Sequence, residues 1–215
     1  DVFADALVER LARRGIPLRV LKRVDRPTGM AKMDLVDGDK KHLEFRGNAM
    51  EEIELGPEDL DFIRGFDIVY CERWTRMARY IRTLRRPEQI WVYDFSRRLE
   101  QPGNDELLPW LDYAFFSYDR DDGYIRAFLQ KAVAKGCRCA VAMLGEAGSL
   151  AWDGSRFYAL AADRLPVVNT VGAGDSYIAA FTYGLSLGES IPACMARGKA
   201  QANRIIQQFN PYPDQ

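Results

Sequence analysis

Four short segments of this chain carry apolar residues at consecutive positions instead of alternate ones: 66–71 (FDIVYC), 90–95 (IWVYDF), 113–117 (YAFFS) and 137–144 (CRCAVAML). A strand that is apolar throughout must be covered on both faces. Stretches of helical pattern lie between these segments, at 75–85, 105–110 and 121–135. Parallel strands need long crossover connections, and helical crossovers cover both sides of the sheet. The expected fold is therefore α/β, doubly wound around a mainly parallel sheet.

The flanking segments fit around that core. GPEDLDFIRG reads as a short helix opened by Pro57, SLAWDG and residues 157–160 as an antiparallel edge, and 173–187 and 190–208 as two closing helices. Near the start, Phe3, Leu7, Val8 and Leu11 recur at helical spacing, with Gly15 as C-cap. The following LRVLKRV reads as a strand. Residues 28–46 change character, with half-apolar stretches around Asp37-Gly38-Asp39 that suggest a hairpin standing apart as a flap.

With 215 residues, 47% hydrophobic and 28% charged, the chain suits one globular domain. Thirty basic against 31 acidic residues leave a formal charge of −1, which disfavours a nucleic-acid binder. The single histidine, His42, and the four cysteines Cys71, Cys137, Cys139 and Cys194 lack zinc-site spacing. With no apolar run of about 18 residues, the chain is expected to be cytoplasmic, with reduced thiols and no membrane partner.

The chemistry concentrates at Asn169-Thr170-Val171-Gly172-Ala173-Gly174-Asp175-Ser176, between a strand-like LPVV and an apolar helix. Glycines allow a tight turn, and the first amides of a helix lack internal acceptors, so this segment can surround an anion. Asp175 falls in the first helical turn. There it could accept a proton from a hydroxyl while the amides stabilise a transferring phosphoryl group. Alternatively, Asp175 only complements the helix N-terminus and the glycines only turn the chain. The spacing matches neither GxxxxGK[ST] nor GxGxxG.

NTVGAGDSYIAAF resembles the DTxGAGDxF signature of the ribokinase-like, or PfkB, carbohydrate kinases, and the likeness runs through essentially the whole chain. LGEAGSLAWDG and VYDFSRR are most similar to the bacterial fructoselysine 6-kinases of that family. The resemblance implies a ribokinase-like domain in which 28–46 is the substrate lid and a dimer contact. It implies Asp175 as general base and Gly172, Ala173 and Gly174 as the anion hole, with ATP as donor, Mg2+ and, in many members, a monovalent cation such as K+. Arg97 then lies on the phosphate side, Gly145 and Gly148 form the nucleotide-side turn, Asn169 belongs to the nucleotide site, and Ala202, Asn203 and Ile206 flank the adenine.

The implied reaction is phosphorylation of the 6-hydroxyl of fructoselysine or a related fructosamine. Fructose, ribose or ketodeoxygluconate are the alternative acceptors, and a catalytically impaired nucleotide- or sugar-binding homologue is the alternative class. Three departures motivate that last reading. Asn169 replaces an aspartate, and Ser117 and Arg120 stand where the family carries NxxE, leaving Asp119 and Asp121 as candidates for orienting hydrated Mg2+. The family's opening strand and Gly-Gly/Asn substrate loop do not occur from Asp1 onward, so residues 1–215 are expected to be one kinase domain lacking those parts.

Overall fold

A computed structural model describes residues 1–36 and 39–210, with residues 35, 36 and 39–42 described by their backbone alone. The hairpin tip at Asp37 and Gly38 and the side chain of His42 lie outside the described residues. In chain order the elements are α1 (Val2–Arg13), β1 (Met30–Val36), β2 (Asp39–Arg46), α2 (Pro57–Arg64), β3 (Ile68–Glu72), α3 (Ile81–Leu84) and β4 (Ile90–Asp94). They continue as α4 (Asn104–Leu107), β5 (Tyr113–Ser117), α5 (Gly123–Ala134), β6 (Cys139–Met143), β7 (Ser149–Trp152), β8 (Phe157–Leu160), α6 (Ala173–Ser186) and α7 (Ile191–Ile206).

The main sheet has the order β3-β4-β5-β6-β7-β8. Its first four strands are parallel and β7 and β8 are antiparallel, as the consecutive apolar runs and the shorter edge segments predict. Each inner strand divides its side chains between two cores. Trp91, Tyr93, Ala114 and Phe116 pack with Ile81, Leu84, Ile125 and Leu129 on one face. Val92, Phe115, Val141 and Ala151 pack with Tyr177, Ile178 and Phe181 of α6 and Cys194 and Met195 of α7 on the other. Trp91, Phe115, Phe116 and Phe181 are all completely buried, and each contributes about 2–3 kcal/mol of transfer free energy. Within this three-layer sandwich no described helix is long and apolar enough to cross a membrane.

β1 and β2 form a separate antiparallel pair, with Met30 opposite Arg46 and a register shift at Lys32/Met33. This is the expected hairpin standing outside the core. Its base is held by side-chain bonds to backbone carbonyls: Arg76 donates to Glu51, and Arg79 donates to Ile53 at 2.7 Å.

Two expectations fail. LRVLKRV is an irregular surface connection with a turn at Leu18–Leu21, because its residues are engaged elsewhere. Lys22 pairs with the buried Asp59 and donates to the Glu54 carbonyl at 2.8 Å, while Arg19 lies 4.5 Å from the Phe62 ring centre. The basic helix expected over 75–85 is two 3-10 turns followed by the single turn of α3, interrupted at Arg76, whose φ is 56°. The bonds that Arg76 and Arg79 make to the hairpin base outweigh helical continuity there.

The turn after β6 requires glycine. At Gly148 φ is 96°, and a Cβ would sit 2.0 Å from the Leu160 carbonyl oxygen and 2.7 Å from the Ala162 nitrogen. Gly148→Ala is expected to destabilise the protein by about 3 kcal/mol, read as a lowered urea midpoint. An unchanged midpoint would show that β8 moves away freely.

Candidate active site

The loop entering α6 is fixed before the helix begins. Val168 and Asn169 N–H both donate to the Ile206 carbonyl, at 2.7 and 3.2 Å. The Asn169 side chain is buried; its amide donates to the Phe209 carbonyl at 2.7 Å and its oxygen accepts from Val171 N–H at 2.9 Å. Gly172 then reverses the chain with φ 78°, a left-handed conformation that glycine adopts without steric cost.

Ala173 N–H turns back to Thr170 O at 3.2 Å, and Ser176 N–H closes the first helical bond to Gly172 O at 2.9 Å. Gly174 and Asp175 follow in the first turn, where amides have no intrahelical acceptor and the helix dipole favours an anion. The turn lies over a strand end: a Cβ on Gly174 would be 3.5 Å from Cε of Met143, the last residue of β6. Tyr177, one turn further along, anchors the helix by donating to Ser149 Oγ at 2.9 Å.

Two more carboxylates reach the same edge. Glu72 and Asp94 are register partners at the carboxyl ends of β3 and β4, and Tyr70 pairs with Val92 two residues earlier. By strand alternation all three lie on the face of Val92, the face covered by α6 and α7. Burial first, then the charges of Asp94 and Asp175, raise the proton affinity of Glu72 to a pKa of about 7, although Trp74 N–H donates to it and opposes the shift. Burial also pushes the Tyr70 hydroxyl upward, with Asp94, Asp175 and Glu72 adding to the effect. Tyr70, Glu72, Asp94 and Asp175 thus form one electrostatically coupled acidic group.

An arginine follows the end of β4. Asp94 Oδ1 accepts from Ser96 N–H at 2.7 Å, and Ser96 has a φ of 54°, so the chain turns sharply as β4 ends. Ser117 N–H donates to Ser96 O at 2.8 Å and fixes that turn to β5. Beyond it, the exposed Arg97 lines a cavity of about 350 Å³ with Ser117, Tyr118, Asp119, Glu100 and Tyr124. Asp175 is not in this lining. A smaller cavity of about 160 Å³, between Leu108, Phe116 and Phe128, shares Leu99 and Glu100 with the first, and both belong to the face of the sheet opposite α6 and α7.

The remaining expected site residues are spread more widely. Asp119 forms two bonds with Arg120, at 2.9 and 3.0 Å, and Asp121 two with Arg126, at 2.7 and 2.6 Å. Among the described residues no group of three His, Cys, Asp or Glu side chains could hold a metal ion. The donor set does not fit an ion held by the protein alone. Gly145, with φ 58°, opens the turn closed by Gly148. On α7, Ala202 packs against the core, Asn203 donates to Asp163 at 2.7 Å, and Ile206 supplies the carbonyl that holds the loop before α6.

Sequence reasoning singled out Asp175 and its glycines, and from the strand ends at Glu72 and Asp94 it suggests that Glu72-Arg73 and Arg97 reach one crevice, but it does not give the partnership of Tyr70, Glu72 and Asp94 with Asp175. Their common face follows from alternation only once the pairing of β3 with β4 is known.

Residues 1–214 match the sequence model described as pfkB family carbohydrate kinase. The fructoselysine 6-kinases of Shigella flexneri and Escherichia coli (strain K12) are each 32% identical over 212 residues, covering 99% of this chain and 81% of theirs. The ribokinase structure from Thermotoga maritima superposes with a TM-score of 0.78 at 21% identity, covering 98% of this chain and 73% of that one. An Arabidopsis thaliana ribokinase complexed with ribose and ATP gives 0.72 at 21% identity, over 86% of this chain and 65% of that one.

The raised proton affinity of Glu72 has a stability consequence. The fold favours the protonated carboxyl, so stability falls as pH rises from the ordinary carboxylate range through about 7. Glu72→Gln removes this penalty. Its stability relative to the parent is expected to rise by about 1–2 kcal/mol between pH 5 and pH 8, read from denaturant unfolding at each pH. A difference independent of pH would contradict it.

Proposed function

Because the chain belongs to the pfkB family of carbohydrate kinases and is an ATP-dependent sugar kinase, we propose that it transfers the γ-phosphoryl group of ATP to the 6-hydroxyl of fructoselysine or a related fructosamine. The observation that carries this reading is the acidic group of Glu72, Asp94 and Asp175 at one sheet edge. A fructosamine bears an ammonium next to its sugar, which such a group of carboxylates attracts. A sugar acid would meet repulsion there.

In this reading Asp175 takes the proton of the 6-hydroxyl as its oxygen bonds to the γ-phosphorus. The bond from that phosphorus to the β,γ-bridging oxygen breaks, and ADP leaves with the electron pair. The turn at Gly172, Ala173 and Gly174 supplies backbone dipoles toward the phosphoryl oxygens, with the Ala173 amide already bonded to Thr170. Asn169 acts by holding the turn in place. Arg97 takes the phosphate side, and Gly145, Gly148, Ala202, Asn203 and Ile206 border the nucleotide. Mg2+ enters as the counter-ion of ATP. The hairpin covers the sugar and contributes a homodimer contact, supported by its exposed Met30 and Leu43. Four buried free thiols suit a cytoplasmic setting.

An ATP-consumption assay with fructoselysine, fructose, ribose and ketodeoxygluconate tests the acceptor. The expected result is a kcat/KM for fructoselysine at least about tenfold above the others, and preference for any other acceptor overturns the assignment. Asp175→Asn is expected to lower kcat by at least about 100-fold while ATP binding persists; retained turnover removes Asp175 as the base. Light scattering should give twice the chain mass, whereas a stable monomer would refute the dimer.

A further inference from the structure

The residue after Glu72 and Arg73 is Trp74, a large aromatic left 41% exposed beside the acidic group. Phe45 of β2 reaches it from the hairpin: the ring centres are 4.7 Å apart, and Phe45 is itself 46% exposed. Two guanidinium carbons, of Arg73 and Arg98, each lie 5.7 Å from the Trp74 ring centre. Arg73 also donates to Gln101 at 3.3 Å. Among the described residues neither arginine has a carboxylate partner, in contrast to Arg120 and Arg126, which are paired with Asp119 and Asp121.

The turn at Ser96 explains how two adjacent arginines come to serve different places. Arg97 lines the cavity with Asp119, whereas Arg98 lies against Trp74. A guanidinium beside an indole keeps N–H edges free, and its fork matches the two oxygens of a carboxylate. The Trp74 and Phe45 rings offer an apolar surface suited to an alkyl stem.

We infer that Trp74, Phe45, Arg73 and Arg98 form a subsite for the amino-acid part of the acceptor, with its aliphatic stem on the two rings and its carboxylate on the two arginines. This inference rests on the reading that the acceptor is a fructosamine, and it narrows that class to fructosamines of amino acids. The ammonium adjoining the sugar then falls toward Glu72 and Asp94, one residue before Arg73 and four before Arg98 in their respective segments. Cation and anion of the acceptor therefore meet opposite charges in the same order along the two segments that leave β3 and β4.

The test compares fructosyl-lysine with fructosyl-cadaverine, which has the same stem and no carboxylate, in the parent and in R73Q, R98Q and W74L, after melting curves establish that each is folded. The readout is the ratio of kcat/KM for the two acceptors, with KM for ATP measured alongside. The parent is expected to prefer fructosyl-lysine by about tenfold or more, mainly in KM, and R98Q and R73Q should each remove most of that preference. W74L should raise KM for both acceptors. A parent that does not discriminate, arginine variants that weaken both acceptors equally, or a rise in KM for ATP in place of lost discrimination would overturn the subsite while leaving the fructosamine reading intact. Turnover of another sugar with none of either fructosamine would overturn both.

Discussion

The site depends on the shared direction of four strands. Residues such as Trp91, Phe115 and Phe116 can be buried only if both faces of the sheet are covered, and helical crossovers between parallel strands provide that cover. Parallel pairing has a second effect. The carboxyl ends of β3, β4, β5 and β6 all fall on one edge, so Glu72, Asp94, Ser117 and Met143 gather there although they are far apart in sequence. α6 begins over the same edge, beside Met143. The burial that stabilises the domain also assembles its polar groups.

Three carboxylates gather on that edge. Glu72, Asp94 and Asp175 repel one another, and their mutual proximity together with burial appears directly in the raised proton affinity of Glu72. Arg97 lies on the other side of the Ser96 turn, in the cavity with Ser117 and Asp119. The turn that separates them is held by backbone bonds to β5 and by Asp94 itself.

The parallel core was legible in the sequence because doubly covered strands are apolar at consecutive positions, as in YAFFS and CAVAM. The glycine turn was legible because few arrangements other than a tight entry into a helix use Gly172-Ala173-Gly174-Asp175 after an apolar strand. Local pattern misread LRVLKRV and residues 75–85 for a common reason: in both, long basic side chains bond to distant carbonyls or carboxylates, as Lys22 does to Asp59 and Arg79 to Ile53. Such bonds leave no periodic trace. The contact between Phe45 and Trp74 was hidden in the same way, since neither residue's neighbours reveal that the hairpin bends back onto the end of β3.

The amide of Asn169 is shared between the loop that starts α6 and the carbonyl of Phe209, beyond the end of α7. Ile206 adds two further bonds to the same loop. The start of one helix and the end of the next are thereby coupled as a single lever. Where α7 ends therefore helps to set where α6 begins, and with it the aim of Asp175.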